Sequence, residues 1–185
     1  MIRDAIDPGC RRCRLHMGRT QVVTGTGAQS SRLVFIGEAP GRDEDLQGEP
    51  FVGRAGMVLN SALASAGVTR DDVYITNLVK CRPPDNRKPR KDEVSACSMH
   101  LESEFSHLRP SVVCLLGQSV AKGILDEDRS MAELAGTERT VTLWGHDVRA
   151  FISYHPAACL YTRENVDKFD ETIRICVEAA GLSRR

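Results

Sequence analysis

The chain has 185 residues, enough for one large domain to bury a core without disulfides. Its 41% hydrophobic and 27% charged composition is ordinary for a soluble globular protein, and 25 basic residues balance 25 acidic ones, so bulk charge selects no partner. No apolar run approaches the ~20 residues that cross a bilayer, and Met1-Ile2-Arg3-Asp4 opens no signal-peptide stretch; a cytoplasmic, intracellular protein is expected.

The amino-terminal segment carries Cys10 and Cys13 as a C-x2-C pair among Arg3, Arg11, Arg12, Arg14 and Arg19. Leu33-Val34-Phe35-Ile36 is a short apolar run ending in Gly-Glu-Ala-Pro-Gly, which predicts a buried strand entering a sharp loop. The glycine-rich stretch from Gly37 to Gly56 lacks both the Lys-Ser/Thr of a phosphate loop and the order G-x-G-x-x-G, so no nucleotide cofactor is expected. Spacing predicts a helix over about Ala55 to Ala66, closed by Gly67, and a second strand over Val73 to Asn77.

The run from Lys80 to Lys91 sets six basic residues against Asp85 alone. Such a patch draws phosphate by counterion release, and it equally suits a solvated, Pro-interrupted loop. Asp92 reads as the cap of a helix reaching Leu108. A third buried strand runs from Ser111 to Leu116 and a helix from Gln118 to Leu125. Glu138 to Tyr154 reads as two strands turned at Gly145-His146, and Asn165 to Ala180 as an amphipathic helix. Strands alternating with helices predict one α/β domain over residues 1–185, a three-layer α/β/α sandwich. Ligands of such sheets sit at the carboxyl ends of the strands, where Glu38, Asn77 and His155 fall.

Seven cysteines, an odd number, in a reducing compartment argue against a disulfide framework. Cys10, Cys13, Cys81 and Cys97 could close a tetrahedral zinc site or hold a four-iron cluster. Spacing leaves both open, as it leaves open that Cys81 and Cys97 are unrelated thiols. Cys114, Cys159 and Cys176 are expected to be buried as small hydrophobes.

Four features occur together in one order: the loop GEAPGRDEDLQGEPFVGRAG at Gly37 to Gly56, YITNLVKCRPP at Tyr74 to Pro84, the four cysteines, and SYHPAA at Ser153 to Ala158. Over nearly the whole chain they resemble the family 4 uracil-DNA glycosylases, the iron–sulfur type. The resemblance implies a central four-stranded, mainly parallel sheet and a structural 4Fe–4S cluster on Cys10, Cys13, Cys81 and Cys97. It implies a monofunctional enzyme of base excision repair that flips uracil out of DNA and hydrolyses its N-glycosidic bond.

Residue by residue, His155 resembles the histidine facing uracil O2, and Asn77 the base-reading asparagine. Phe51 matches the aromatic that stacks on the flipped base. Glu38 is the acid assigned to the attacking water, and Glu44 the carboxylate set against uracil C5. Ala39 stands where family 1 enzymes have a catalytic aspartate and many family 4 members have glycine. Arg82, Arg87, Lys88, Arg90 and Lys91 would hold phosphates. Ala158 to Arg163 resembles an intercalation loop, in which Leu160 or Tyr161 fills the vacated stack. Taken singly, each has a plainer reading: a loop-packing histidine, a strand-ending asparagine, a core phenylalanine, a solvated Asp43-Glu44-Asp45 run.

Two rivals are weighed. A superfamily type becomes trapped covalently on DNA through a histidine in a Lys-Arg-Ile-His insert, and Arg82 to Asp92 contains no histidine. A non-catalytic Fe–S or zinc DNA-binding protein would leave Glu38, Phe51, Asn77 and His155 unexplained. The expected partner is uracil-containing DNA, single- or double-stranded, met by a monomer; a sliding clamp is left open.

Overall fold

A computed structural model describes residues 6–183; Arg3 of the amino-terminal basic group lies outside them. One sheet is built from β1 Thr26–Gly27, β2 Leu33–Gly37, β3 Tyr74–Asn77, β4 Val112–Leu116, β5 Glu138–Leu143 and β6 His146–Ser153, in the order β1-β3-β2-β4-β6-β5. The inner four strands run parallel. β1 and β5 add antiparallel edges, so the expected four-stranded sheet is corrected to six strands around a parallel core of four. β1 pairs only Thr26 with Ile75 and Gly27 with Tyr74, too short a contact to leave an alternating pattern in the sequence.

The helices are α1 Arg42–Gln47, α2 Arg54–Ser65, α3 Lys91–Leu108, α4 Gln118–Leu125, α5 Met131–Leu134 and α6 Arg163–Ala179. Parallel strands covered on both faces read as unbroken apolar runs because successive side chains serve opposite faces. Leu33 and Phe35 of β2 and Cys114 and Leu116 of β4 pack with Leu59 and Leu63 of α2 and with Phe169, Ile173 and Cys176 of α6. Val34, Ile36, Val113 and Leu115 serve the other face, against Leu101 and Phe105 of α3 and Val120 and Ala121 of α4. The three-layer sandwich is the result, with Cys114, Cys159 and Cys176 buried as expected.

Two helix starts differ from expectation. Arg90, not Asp92, is the N-cap of α3; Asp92 lies in the first turn, and Glu93 Oε2 accepts the Arg90 N–H at 2.7 Å. α1 carries no apolar stripe that could announce it, since Asp45 is its one buried residue. Three acids in its first turn suit the positive end of the helix dipole, and Gly48 at φ 77 closes it in the left-handed conformation. No helix among the described residues is long and apolar enough to cross a membrane.

Candidate functional site

The loops leaving the carboxyl ends of β2, β3, β4 and β6 enclose a cavity of about 530 Å³, lined by Glu38, Ala39, Glu44, Phe51, Asn77 and His155 among others. The five positions expected at the base, Ala39, Glu44, Phe51, Asn77 and His155, and Glu38, expected at the attacking water, therefore line one cavity. Gly37, the last residue of β2, explains the closeness. A Cβ there would stand 2.4 Å from both Asn77 Oδ1 and Phe51 Cζ, so only glycine lets the amide and the ring meet over the strand end.

Phe51 is held at φ 54, a left-handed conformation that costs a non-glycine residue on the order of 1–3 kcal/mol. Arg70 holds it there, donating Nη1 to Phe51 O at 2.9 Å and Nη2 to Pro50 O at 2.6 Å. Gly56 lets α2 close on the same carbonyl, where a Cβ would lie 1.8 Å from the oxygen. The Phe51 and His155 ring centroids are 5.7 Å apart, with the planes tilted by 33°.

Asn77 is 2% exposed, and its Oδ1 is buried with no hydrogen-bond partner among the described residues. An orphaned buried acceptor costs about 1–3 kcal/mol, which a donor on a bound ligand would remove. His155 Nδ1 accepts the Ala157 N–H at 3.1 Å, so the neutral ring carries its hydrogen on Nε2. Burial pulls His155 down to about 4, against the opposing pull of Glu44, so the ring is uncharged at neutral pH. Among the described residues no hydrogen bond or ion pair engages the Glu38 carboxylate, which lines the cavity.

The acidic run is not merely solvated. Glu44 accepts the N–H groups of Gly41, Val52 and Gly53 at 3.1, 3.0 and 2.9 Å, stapling the Phe51 loop to α1. Asp45 is 3% exposed and accepts the Thr20 N–H through both oxygens.

A second cavity is lined by Cys10, Cys13, Cys81 and Cys97 together with Arg19, Lys80 and His100. Arg19 Nη1 donates to Cys81 Sγ at 3.2 Å and the Lys80 N–H to Cys97 Sγ at 3.3 Å, while His100 Nε2 lies 3.4 Å from Cys10 Sγ. Burial pushes the Cys97 thiol up to about 11 and raises that of Cys81, so thiolates here need a cation to offset their desolvation. No three His, Cys, Asp or Glu side chains among the described residues converge on a point that could hold a single metal ion. Ala39, which lines the first cavity, also packs against the small cluster of Leu15, Val79, Cys81 and Cys97.

Residues 24–178 match the family model described as the uracil DNA glycosylase superfamily. This chain belongs to that superfamily. A Type-4 uracil-DNA glycosylase of Archaeoglobus fulgidus is 43% identical over 176 residues, 93% of this chain and 88% of its own length. One from Thermotoga maritima is 40% identical over 84% of this chain and 80% of its own. A Type-5 uracil-DNA glycosylase of Pyrobaculum aerophilum is 30% identical over 84% and 75%, so the Type-4 proteins are the more similar kind.

Of the basic loop in this superfamily member, Arg87 and Lys88 reach the rim of the first cavity, beside Gln118 and Ser119 at the start of α4. Arg87 grips Glu93 through two bonds of 2.8 and 2.7 Å, and Glu93, wholly buried, is drawn down to about 2, chiefly by that guanidinium. Arg82 turns to Asn86 at 2.7 Å; Arg90 and Lys91 are exposed at the start of α3, outside the cavity wall. Tyr161 is 81% exposed, Leu160 half-buried and Arg163 exposed; Leu160 ends the short 3-10 helix Pro156–Leu160, which His155 caps, and the other two follow it. None of these three lines the cavity. Arg70, Gly37 and Gly56 were not singled out from the sequence: no motif marks an arginine that acts on backbone carbonyls, and glycines in a glycine-rich loop look interchangeable.

Proposed function

We propose that this chain is a uracil-DNA glycosylase, which receives a uracil nucleotide extruded from DNA and hydrolyses the bond between base and deoxyribose, leaving an abasic site for base excision repair. The observation that carries the reading is the orphaned Asn77 Oδ1, set beside the Phe51 ring and a neutral His155 in one cavity. Oδ1 accepts the uracil N3–H while the amide nitrogen donates to O4. Cytosine presents the opposite polarity at both atoms and leaves buried groups unpaired. Phe51 stacks on the base without regard to its identity, for about 1–3 kcal/mol. Glu44, locked by three amides, sets a fixed carboxylate against C5, where thymine carries a methyl group.

In the reaction the bond from N1 to C1′ breaks and its electron pair stays with the base, so negative charge grows on O2 and positive charge on the sugar. His155 Nε2–H meets that growing charge without first having to lose a proton. A water held by Glu38 bonds to C1′ and passes its proton to the carboxylate; with Ala39 at the position of the family 1 aspartate, Glu38 is the acid available for this step. Extrusion costs a few kcal/mol for unpairing and unstacking. Leu160 or Tyr161 fills the gap, and Arg87 and Lys88 meet the phosphates, with Arg82, Lys91 and Arg163 farther along the backbone. The protein acts as a monomer on single- or double-stranded DNA in the cytoplasm.

Cys10, Cys13, Cys81 and Cys97 would hold a 4Fe–4S cluster. Their shared cavity and the N–H donors on two of the sulfurs fit such a group. When bound, it supplies a structural tie and no step of the hydrolysis. The purified protein is expected to be brown and to contain iron; a colourless protein containing zinc would refute the cluster.

The activity is tested with an oligonucleotide bearing one uracil. The protein should yield an alkali-labile site there, and Asn77→Ala and His155→Ala should each cut at least ~100-fold more slowly while still binding, since phosphate contacts supply most affinity. An iron-loaded protein that leaves the oligonucleotide intact overturns the assignment.

A further inference from the structure

Beneath the pocket lies an ion pair that the reaction does not use. Lys80 Nζ and Glu104 Oε2 are 2.7 Å apart, and each side chain is 1% exposed. All three ammonium hydrogens are engaged: on Glu104, on Thr76 Oγ1 at 2.5 Å and on the carbonyl of Asn77 at 2.9 Å. Glu104 in turn accepts from the Gly25 N–H, the Tyr74 hydroxyl and Thr76 Oγ1. A buried pair of this kind gains little over apolar residues of similar volume, so stability alone does not account for it.

The pair meets the sheet at the carbonyl of Asn77. β1 bonds only to Tyr74 and Ile75, so the outer edge of β3 has no strand partner at Asn77. On the inner edge the Leu78 N–H reaches Gly37 O at 2.9 Å. The Asn77 carbonyl, left without a ladder partner, is taken by Lys80, whose own backbone is fixed by the Val23 N–H on its carbonyl and by Cys97 Sγ on its N–H. With the peptide held at that edge, the orphaned Oδ1 is confined against Gly37, in a side chain that lines the cavity.

We propose that the Lys80 and Glu104 pair is the positioning element that aims Asn77 at the base. This rests on the reading of Asn77 as the residue that recognises uracil. It predicts that neutralising the pair impairs contacts to the base and spares contacts to the DNA backbone.

The test is the double variant Lys80→Met with Glu104→Gln, in iron-loaded protein. The glutamine keeps an acceptor for Gly25 and Tyr74 and strands no charge. Inhibition by free uracil should weaken about 10-fold and kcat on uracil-containing DNA fall about 10- to 100-fold, as for a misaimed contact group. Affinity for an oligonucleotide carrying a tetrahydrofuran abasic analogue, which has no base to read, should stay within about twofold of the parent, because phosphate contacts carry it. Parental uracil inhibition in the folded variant overturns the proposal, and so does a loss of abasic-site binding in step with kcat, which marks a general structural role. Should the double variant not accumulate as folded protein, Thr76→Val carries the same test. It removes one of the three acceptors of Nζ and leaves both charges, and parental uracil inhibition in it overturns the proposal equally. Asn77→Ala is measured alongside: if it leaves uracil inhibition unchanged, the base-reading role itself fails, separately from the positioning role.

Discussion

A histidine deprived of its charge by burial can donate through one nitrogen only, and the Ala157 N–H decides which by occupying Nδ1. The consequence for pH follows from the direction of the shift. His155 in the folded protein titrates at about 4, below its ordinary 6.5, so between those values the unfolded chain binds a proton that the folded one refuses. Stability from this group is complete above 6.5 and is lost as pH falls toward 4. The same shift predicts that log kcat/KM shows no break near 6.5 and declines only toward 4. A break near 6.5 that His155→Ala removes would show that the ring donates as a cation. Asn77, Phe51 and His155 had no such legibility one at a time, because each residue type suits an ordinary strand end, core or loop. Their meeting depends on Gly37, whose missing side chain is a property of packing that a sequence does not display.

At the scale of elements, β2 and β4 were legible because burial on both faces leaves no polar positions to break the apolar run. β1 and α1 were not: one is two residues long, and the other is held by carboxylates on backbone amides instead of by an apolar stripe. The basic loop was visible as charge, and its anchoring was hidden. Arg87 and the Arg90 N–H converge on buried Glu93, so the loop that rims the pocket is tied to the first turn of α3. Arg87→Ala leaves that carboxylate buried with a weakened set of donors, and the thermal midpoint should fall. Glu93 is held near 2 against an ordinary 4.5, so its contribution is present above 4.5 and disappears as pH falls toward 2. The deficit of Arg87→Ala relative to the parent should therefore be largest at neutral pH and shrink in acid. Melting curves at several pH values check it, and a deficit independent of pH would show that the guanidinium acts by packing alone.

Across the whole molecule, the cysteine cavity gathers segments distant in sequence: the amino-terminal pair, the exit of β3, and the second turn of α3 at Cys97. The first cavity has a different origin, since Asn77 ends and Glu38 and His155 follow strands whose register is set by the core. Losing the cysteine tie should thus free the amino-terminal segment and the loop containing Pro83, Arg87 and Lys88 while leaving the sheet intact. Cys97→Ser is expected to abolish the brown colour that the proposed cluster would give, lower the thermal midpoint and admit proteolysis within residues 82–90. Affinity for uracil-containing DNA should fall more than the single-turnover rate measured at saturating enzyme, because in the proposed function the freed loop meets phosphates and the sheet-borne groups meet the base. Comparing the dissociation constant with that rate separates the two. An unchanged affinity with a collapsed rate would mean that the cysteine site acts on the first cavity itself, by way of Ala39, which lines that cavity and packs against the cluster holding Cys81 and Cys97.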